Sequence, residues 1–83
     1  MRRLMVPLEV LPSQGTPRAL RWVDSTGRAQ HAGVARVLDD WDYAGRWWEG
    51  EVRRHYLLLE TDAGATLEVY REGDAWCLSR LAD

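Results

Sequence analysis

Residues capable of chemistry crowd into one stretch, Asp39-Asp40-Trp41-Asp42-Tyr43-Ala44-Gly45-Arg46-Trp47-Trp48-Glu49-Gly50-Glu51-Val52-Arg53. It holds four of the chain's eight aromatic residues. Indole rings beside guanidinium groups suit two tasks. They can stack on bases while Arg pairs with phosphates, or they can anchor a protein partner. The contacts in either case are Arg46, Trp47, Trp48, Arg53 and Arg54, joined by Tyr70 and Arg71 from the strand that follows. A plainer reading stands beside these, in which the rings simply fill the core, because Trp is highly buried on average. Adjacent Trp47 and Trp48 cannot both face inward on an extended chain, so one ring of the pair belongs outside the core. Glu49 and Glu51 argue against simple electrostatic capture of DNA.

The remaining reactive side chains assemble nothing. Asp39, Asp40 and Asp42 carry carboxylates suited to Mg²⁺ or Ca²⁺. In an extended chain, however, Asp40 and Asp42 point one way and Asp39 the other, and no EF-hand spacing is present. A solvated turn accounts for them better, and no metal site is expected. His31 and His55 are too isolated to form a ligand set and read as satisfied or exposed imidazoles. Cys77 alternates with Trp76 and Leu78 and so faces away from the expected core, with no cation in sequence to activate it. A single thiol makes neither an internal disulfide nor a zinc site. Gly45, Gly50, Gly64 and Gly73 are spaced as turns and not as a phosphate loop. Ser79 occupies no nucleophile elbow. No catalytic residue and no cofactor is assigned, and the chain reads as a non-enzyme.

The elements that position these residues read as strands. Leu4, Val6, Leu8 and Val10 share one face at period two. Pro7 has no N–H to donate, which predicts an edge strand over 4–11. A turn follows at Pro12-Ser13-Gln14-Gly15-Thr16-Pro17. Arg18 to Val23 forms a second strand with Leu20 and Trp22 inward. Asp24-Ser25-Thr26-Gly27 is a type I turn pattern. Arg28 to Leu38 forms a third strand, with Val34 and Leu38 on one face, Ala35 and Val37 on the other, and Gly33 marking a bulge or bend. Asp39 to Arg53 reads as a long connection, of a length at which loops are usually functional. Arg54 to Thr61 is apolar on both faces at Tyr56-Leu57-Leu58-Leu59 and reads as a central strand. Ala65 to Glu72 has Leu67 and Val69 inward. Gly73-Asp74 is a hairpin signal, and Ala75 to Leu81 returns with Trp76 and Leu78 inward. The expectation is an all-β fold, a small antiparallel meander or partly closed barrel of five to six strands, with residues 1–83 as one domain.

Composition bounds the rest. A chain of 83 residues buries only about 60–65% of its unfolded surface, so five Trp and three Tyr must supply much of the burial. The formal net charge of −2 gives no global attraction to nucleic acid or anionic lipid. All eleven basic residues are Arg, and Lys, Phe, Ile and Asn are absent. Those four have A/T-rich codons. The Arg excess therefore reflects a GC-rich genome first and phosphate binding second. No apolar run approaches the ~20 residues of a membrane span, and Leu4-Met5-Val6-Pro7-Leu8-Glu9 is broken too early for a signal-peptide core. The reading is a cytoplasmic domain with no membrane partner.

A wider pattern joins Val37-Leu38-Asp39-Asp40-Trp41, Gly45-Arg46-Trp47-Trp48-Glu49-Gly50-Glu51, Arg54-His55-Tyr56-Leu57-Leu58, Leu67-Glu68-Val69-Tyr70-Arg71, Trp76-Cys77-Leu78-Ser79-Arg80 and Asp83. Over Arg18 to Asp83 it resembles a small bacterial family of unknown function from GC-rich lineages. It is similar to the C-terminal tail of ImuB-type proteins, catalytically inactive relatives of Y-family DNA polymerases that act in mutagenic repair. The resemblance implies a setting, DNA damage tolerance, and no mechanism. Two functions follow as expectations. One is a DNA-binding module for single-stranded nucleic acid or a DNA-repair protein. The other is a protein-interaction or self-association (homo-oligomer) module, using the Trp segment or the Leu4–Leu11 edge by strand addition.

Overall fold

The computed structural model describes residues 2–12, 14–47 and 50–82, with side chains for 6–12, 14–45 and 53–81. Its strands are β1 (Arg2–Leu11), β2 (Ala19–Val23), β3 (Ala29–Trp47), β4 (Gly50–Thr61), β5 (Thr66–Glu72) and β6 (Ala75–Ala82). There is no helix among the described residues. Each strand pairs antiparallel with the next, and β1 pairs with β6 to close a six-stranded ring. The all-β meander expected from the sequence is therefore present, and it closes.

The turns follow their residues. Asp24 to Arg28 and Thr61 to Ala65 share one geometry. The fourth residue is a Gly at φ 85° and 86° respectively, and its N–H donates to the first residue's carbonyl at 3.0 Å. Only Gly adopts that backbone without penalty. The first side chain then caps the turn. Asp24 Oδ1 accepts from the Thr26 and Arg28 amides, and Thr61 Oγ1 accepts from the Ala65 amide. Gly73-Asp74 joins β5 to β6 in two residues, between the paired Glu72 and Ala75.

The core is aliphatic with one indole. Leu20, Leu59, Leu67, Val69 and Leu78 are completely enclosed, with Leu8, Val10, Leu57 and Trp76 around them. Full burial of one such aliphatic side chain stabilises the fold by about 1.5–3 kcal/mol. Trp22 and Val6 are half-buried against this cluster.

Three expectations are corrected. The first concerns β1, which is not a free edge strand along its whole length. It pairs with β6 over Arg2–Leu8 and with β2 over Glu9–Leu11. Pro7 pairs with β6 on one side and sits just before the β2 ladder begins, so the β2-facing side of Arg2–Leu8 has no strand partner and the missing N–H costs nothing there. The second concerns the inward residues of β3, which are Val34 and Val37, while Leu38 is exposed. Register shifts between Val34 and Arg36 and between Val37 and Asp39 insert extra residues and reset the alternation. The third and largest concerns Asp39 to Arg53, which is not a loop. It continues β3 and begins β4 in one unbroken ladder from Asp39↔Leu58 to Trp47↔Gly50.

That ladder shapes the molecule. Nineteen residues of straight strand would run about 60 Å, yet the longest axis is 40 Å, so β3 must bend, and its two bulges supply the bend. Pairing of β3 with β2 ends at Gly33, with one further bond from the Val34 amide to the Arg18 carbonyl. Pairing of β4 with β5 begins at His55↔Arg71. From Tyr43↔Arg54 outward, the last rungs form a two-stranded ribbon standing past the ring.

Candidate functional site

The ribbon and the rungs at its base present two unlike faces. Rungs Trp41↔Tyr56 and Tyr43↔Arg54 point outward, while Asp40↔Leu57 and Asp42↔His55 lie on the face that continues the barrel interior. Alternation along β3 and β4 fixes this division.

The outer face is an aromatic array. Trp41 and Tyr56 stack with centroids 5.4 Å apart and planes 1° apart. Tyr43 meets Tyr56 edge-on at 6.4 Å, and Tyr56 tilts against Tyr70 at 5.3 Å. Such pairs add about 0.5–1.5 kcal/mol each beyond area burial. Arg54 clamps the inner end. Its Cζ lies 4.4 Å over the Tyr70 ring, its Nε donates to Glu72 Oε1 at 2.9 Å, and its Nη1 donates to the Tyr56 hydroxyl at 3.3 Å. These bonds, Tyr56 first and Glu72 next, hold the Arg54 guanidinium even more firmly in its charged form. Tyr70 is covered to 4% exposure. Burial, and then a hydrogen bond with Cys77, push its phenol above the ordinary tyrosine value. Beyond the clamp the rings open to solvent, with Trp41 38% and Tyr43 50% exposed.

The inner face is polar. Asp42 Oδ1 and His55 Nδ1 lie 2.6 Å apart. Arg71 reaches over Trp76, with its Cζ 5.9 Å from the ring centroid. An open depression of ≈ 430 Å³ spans Thr16, Pro17, Asp40, His55, Arg71 and Trp76. Its lining mixes acid, imidazole, guanidinium and the Thr16 hydroxyl. Among the described residues no group of three His, Cys, Asp or Glu could hold a metal ion.

The residues singled out from sequence do not form one surface. Arg53 and Arg71 belong to the inner face, whereas Arg54 and Tyr70 belong to the outer one. Tyr70 is a buried ring and offers no stacking platform, which corrects its assignment as a contact. Arg54 is spent on Glu72 and the tyrosines. Arg46 and Trp47 lie on the last rungs of β3, with side chains outside the described residues, and Trp48 lies outside them altogether. Sequence reading missed Trp41 and Tyr43 as the open aromatic pair. The signal was present in Trp41-Asp42-Tyr43, which alternates apolar and acidic residues as a half-exposed strand does.

Comparison of the chain with known protein families, curated proteins and solved structures gives no match. Among the described residues no helix is long and apolar enough to cross a membrane.

Proposed function

We propose that this domain is a non-catalytic protein-binding module whose contact element is the outer face of the β3–β4 ribbon. One observation carries the reading: where the ribbon leaves the ring, Trp41 and Tyr43 stand exposed on one face braced from below by Tyr56, Tyr70 and Arg54. Rigid, partly desolvated aromatic rings are the residues that dominate protein interfaces.

The charges favour a protein over single-stranded nucleic acid. Glu60 holds Arg36 and Glu72 holds Arg54. By alternation Asp39 lies on the same face of β3 as the open rings, where a phosphate backbone would have to run, and an acid there repels it. The DNA damage tolerance setting implied by the sequence resemblance is compatible with a partner that is itself a repair protein.

The test compares the native chain with a Trp41→Ala/Tyr43→Ala variant. Affinity capture from cells should recover a partner with the native chain and lose it with the variant, while both keep the same circular dichroism. Titration of the native chain with oligothymidylate at low salt should leave Trp fluorescence unchanged. Strong quenching by the oligonucleotide, together with a capture profile indifferent to the two rings, would overturn the proposal.

A further inference from the structure

The ribbon has an open backbone edge as well as an open face. Beyond the Val34 amide, no described strand pairs with the other side of β3, so its edge from Leu38 to Trp47 has no strand partner, and among the described residues there only the Asp40 amide is bonded locally, to Asp39 Oδ1 at 2.8 Å. The outer rungs are also the weakest part of the fold, because a two-stranded ribbon is at best marginal in water without a third strand or a packed face. Such an edge is a template for strand addition.

The edge is selective in what it can accept. In an antiparallel pair of two identical strands, the symmetry axis passes through one residue position, which then faces its own copy. Centring on Trp41 sets Asp40 against Asp42 and Arg36 against Arg46. Centring on Asp39, Asp40 or Asp42 sets a carboxylate against itself. Registers about Val37 or Leu38 cross the bulges that break the ladder between Val34 and Asp39. Centring on Ala44 sets Asp42 against Arg46, but Asp42 already pairs with His55. Centring on Tyr43 avoids all of these. Asp40 then opposes Arg46, Asp42 opposes Ala44, and Trp41 opposes Gly45. Asp40 is exposed and its carboxylate has no partner among the described residues, and this register supplies one. On the outer face, Tyr43 meets its own copy. Its ring already lies across Gly45, where an added Cβ would come within 2.8 Å of the phenol oxygen. The partner's Trp41 would then arrive beside an aromatic surface.

From this register we infer that the occupant of the β3 edge is a second copy of this chain, paired antiparallel about Tyr43 over residues 39–47. Two ribbons become one four-stranded sheet, and the Trp41 and Tyr43 rings of both copies form a single patch. The inference rests on the protein-binding reading above and names its partner.

The test is a charge exchange read by sedimentation velocity across micromolar to millimolar concentration, on the full chain. The native chain should dimerise reversibly. Asp40→Arg places Arg opposite Arg46 twice, and Arg46→Asp places Asp opposite Asp40 twice. Each variant alone should dimerise more weakly by on the order of tenfold or more, since both cross-strand pairs change from attraction to repulsion. An equimolar mixture of the two variants restores opposite charges at both positions and should dimerise like the native chain. Native-like circular dichroism of each variant, with rescue in the mixture, separates this effect from misfolding. A native chain monomeric throughout the range overturns the inference, and so does a dimer indifferent to Asp40→Arg or a mixture that stays monomeric. If the native chain is monomeric yet capture through Trp41 and Tyr43 still recovers another protein, the self-pairing falls and the protein-binding reading survives. Loss of both removes both.

Discussion

Replacing Arg54 by alanine separates a brace from a ligand contact. Its guanidinium covers Tyr70 at 4.4 Å and bonds Glu72 at 2.9 Å. A cation–π contact of this kind contributes about 0.5–1 kcal/mol, rising toward ~2 when desolvated. The ion pair contributes at most about 1 kcal/mol, because the side chains of Arg54 and Glu72 are 27% and 49% exposed and solvent screens them. Together the loss is about 1.5–2.5 kcal/mol. In a domain of this size each kcal/mol moves Tm by about 4–8 °C, so Arg54→Ala should lower Tm by roughly 6–20 °C in a thermal melt followed by near-UV circular dichroism. Glu72→Gln removes only the ion pair and should lower it by less than half as much. A Tm for Arg54→Ala within about 3 °C of the native value would refute the clamp. It would return Arg54 to the role that sequence alone gave it, a cation held free for a partner.

Other outcomes follow from the same geometry. Leu59→Ala, at a fully enclosed site, should cost about 2–5 kcal/mol, and urea denaturation will show whether any folded population survives. The Asp24 carboxylate is held well below the usual carboxylate range by bonds from the Thr26 side chain, the Gln30 side chain and the Arg28 amide. Its contribution is therefore complete above about pH 4 and fades as pH falls further toward its lowered folded value. The Tm gap between native and Asp24→Ala should be constant near neutrality and narrow below pH 4; a gap that widens there contradicts this. Tyr70, raised by burial, should ionise above the ordinary tyrosine value in an ultraviolet titration, its step identified by loss in Tyr70→Phe. The stability tied to its neutral form should persist below about pH 10 and disappear as pH rises through its higher folded value. A Tyr70 step at or below the ordinary tyrosine value would contradict it.

The barrel was legible in the sequence because each of its signals is local. Leu67-Val69 and Trp76-Leu78 alternate on either side of Gly73-Asp74, and a two-residue turn fixes the register between them. Asp24 to Gly27 announced its turn for the same reason. Misreadings arose where a long-range event overrides the local one. Two bulges reset β3, so Leu38 faces out although simple alternation from Val34 turns it in. Closure between β1 and β6 gives Pro7 a partner on one side, while its other side lies outside the β2 ladder, so the proline marks a local edge within a closed ring. The stretch from Asp39 to Arg53 looked like a loop because charges and glycines dilute its pattern. A ribbon exposed on both faces needs no apolar stripe, so periodicity is weakest where the strand is most solvated. Tyr70 looked like a contact because it neighbours Arg71 in sequence. Its burial depends on Arg54, sixteen positions earlier in the chain and one strand away.

The central claim is that the outer face of the ribbon meets a protein, and site-specific photo-crosslinking tests it most directly. A benzophenone side chain placed at Tyr43 sits on that face. One placed at Val23 sits at the opposite end of β3's ladder, beside the Asp24–Gly27 turn, and is equally exposed, at 57% against 50%. Irradiation should give a protein adduct from position 43 and none from position 23, the adduct being either a second copy of the chain or another protein. No adduct from position 43, or equal yields from both positions, would contradict the account.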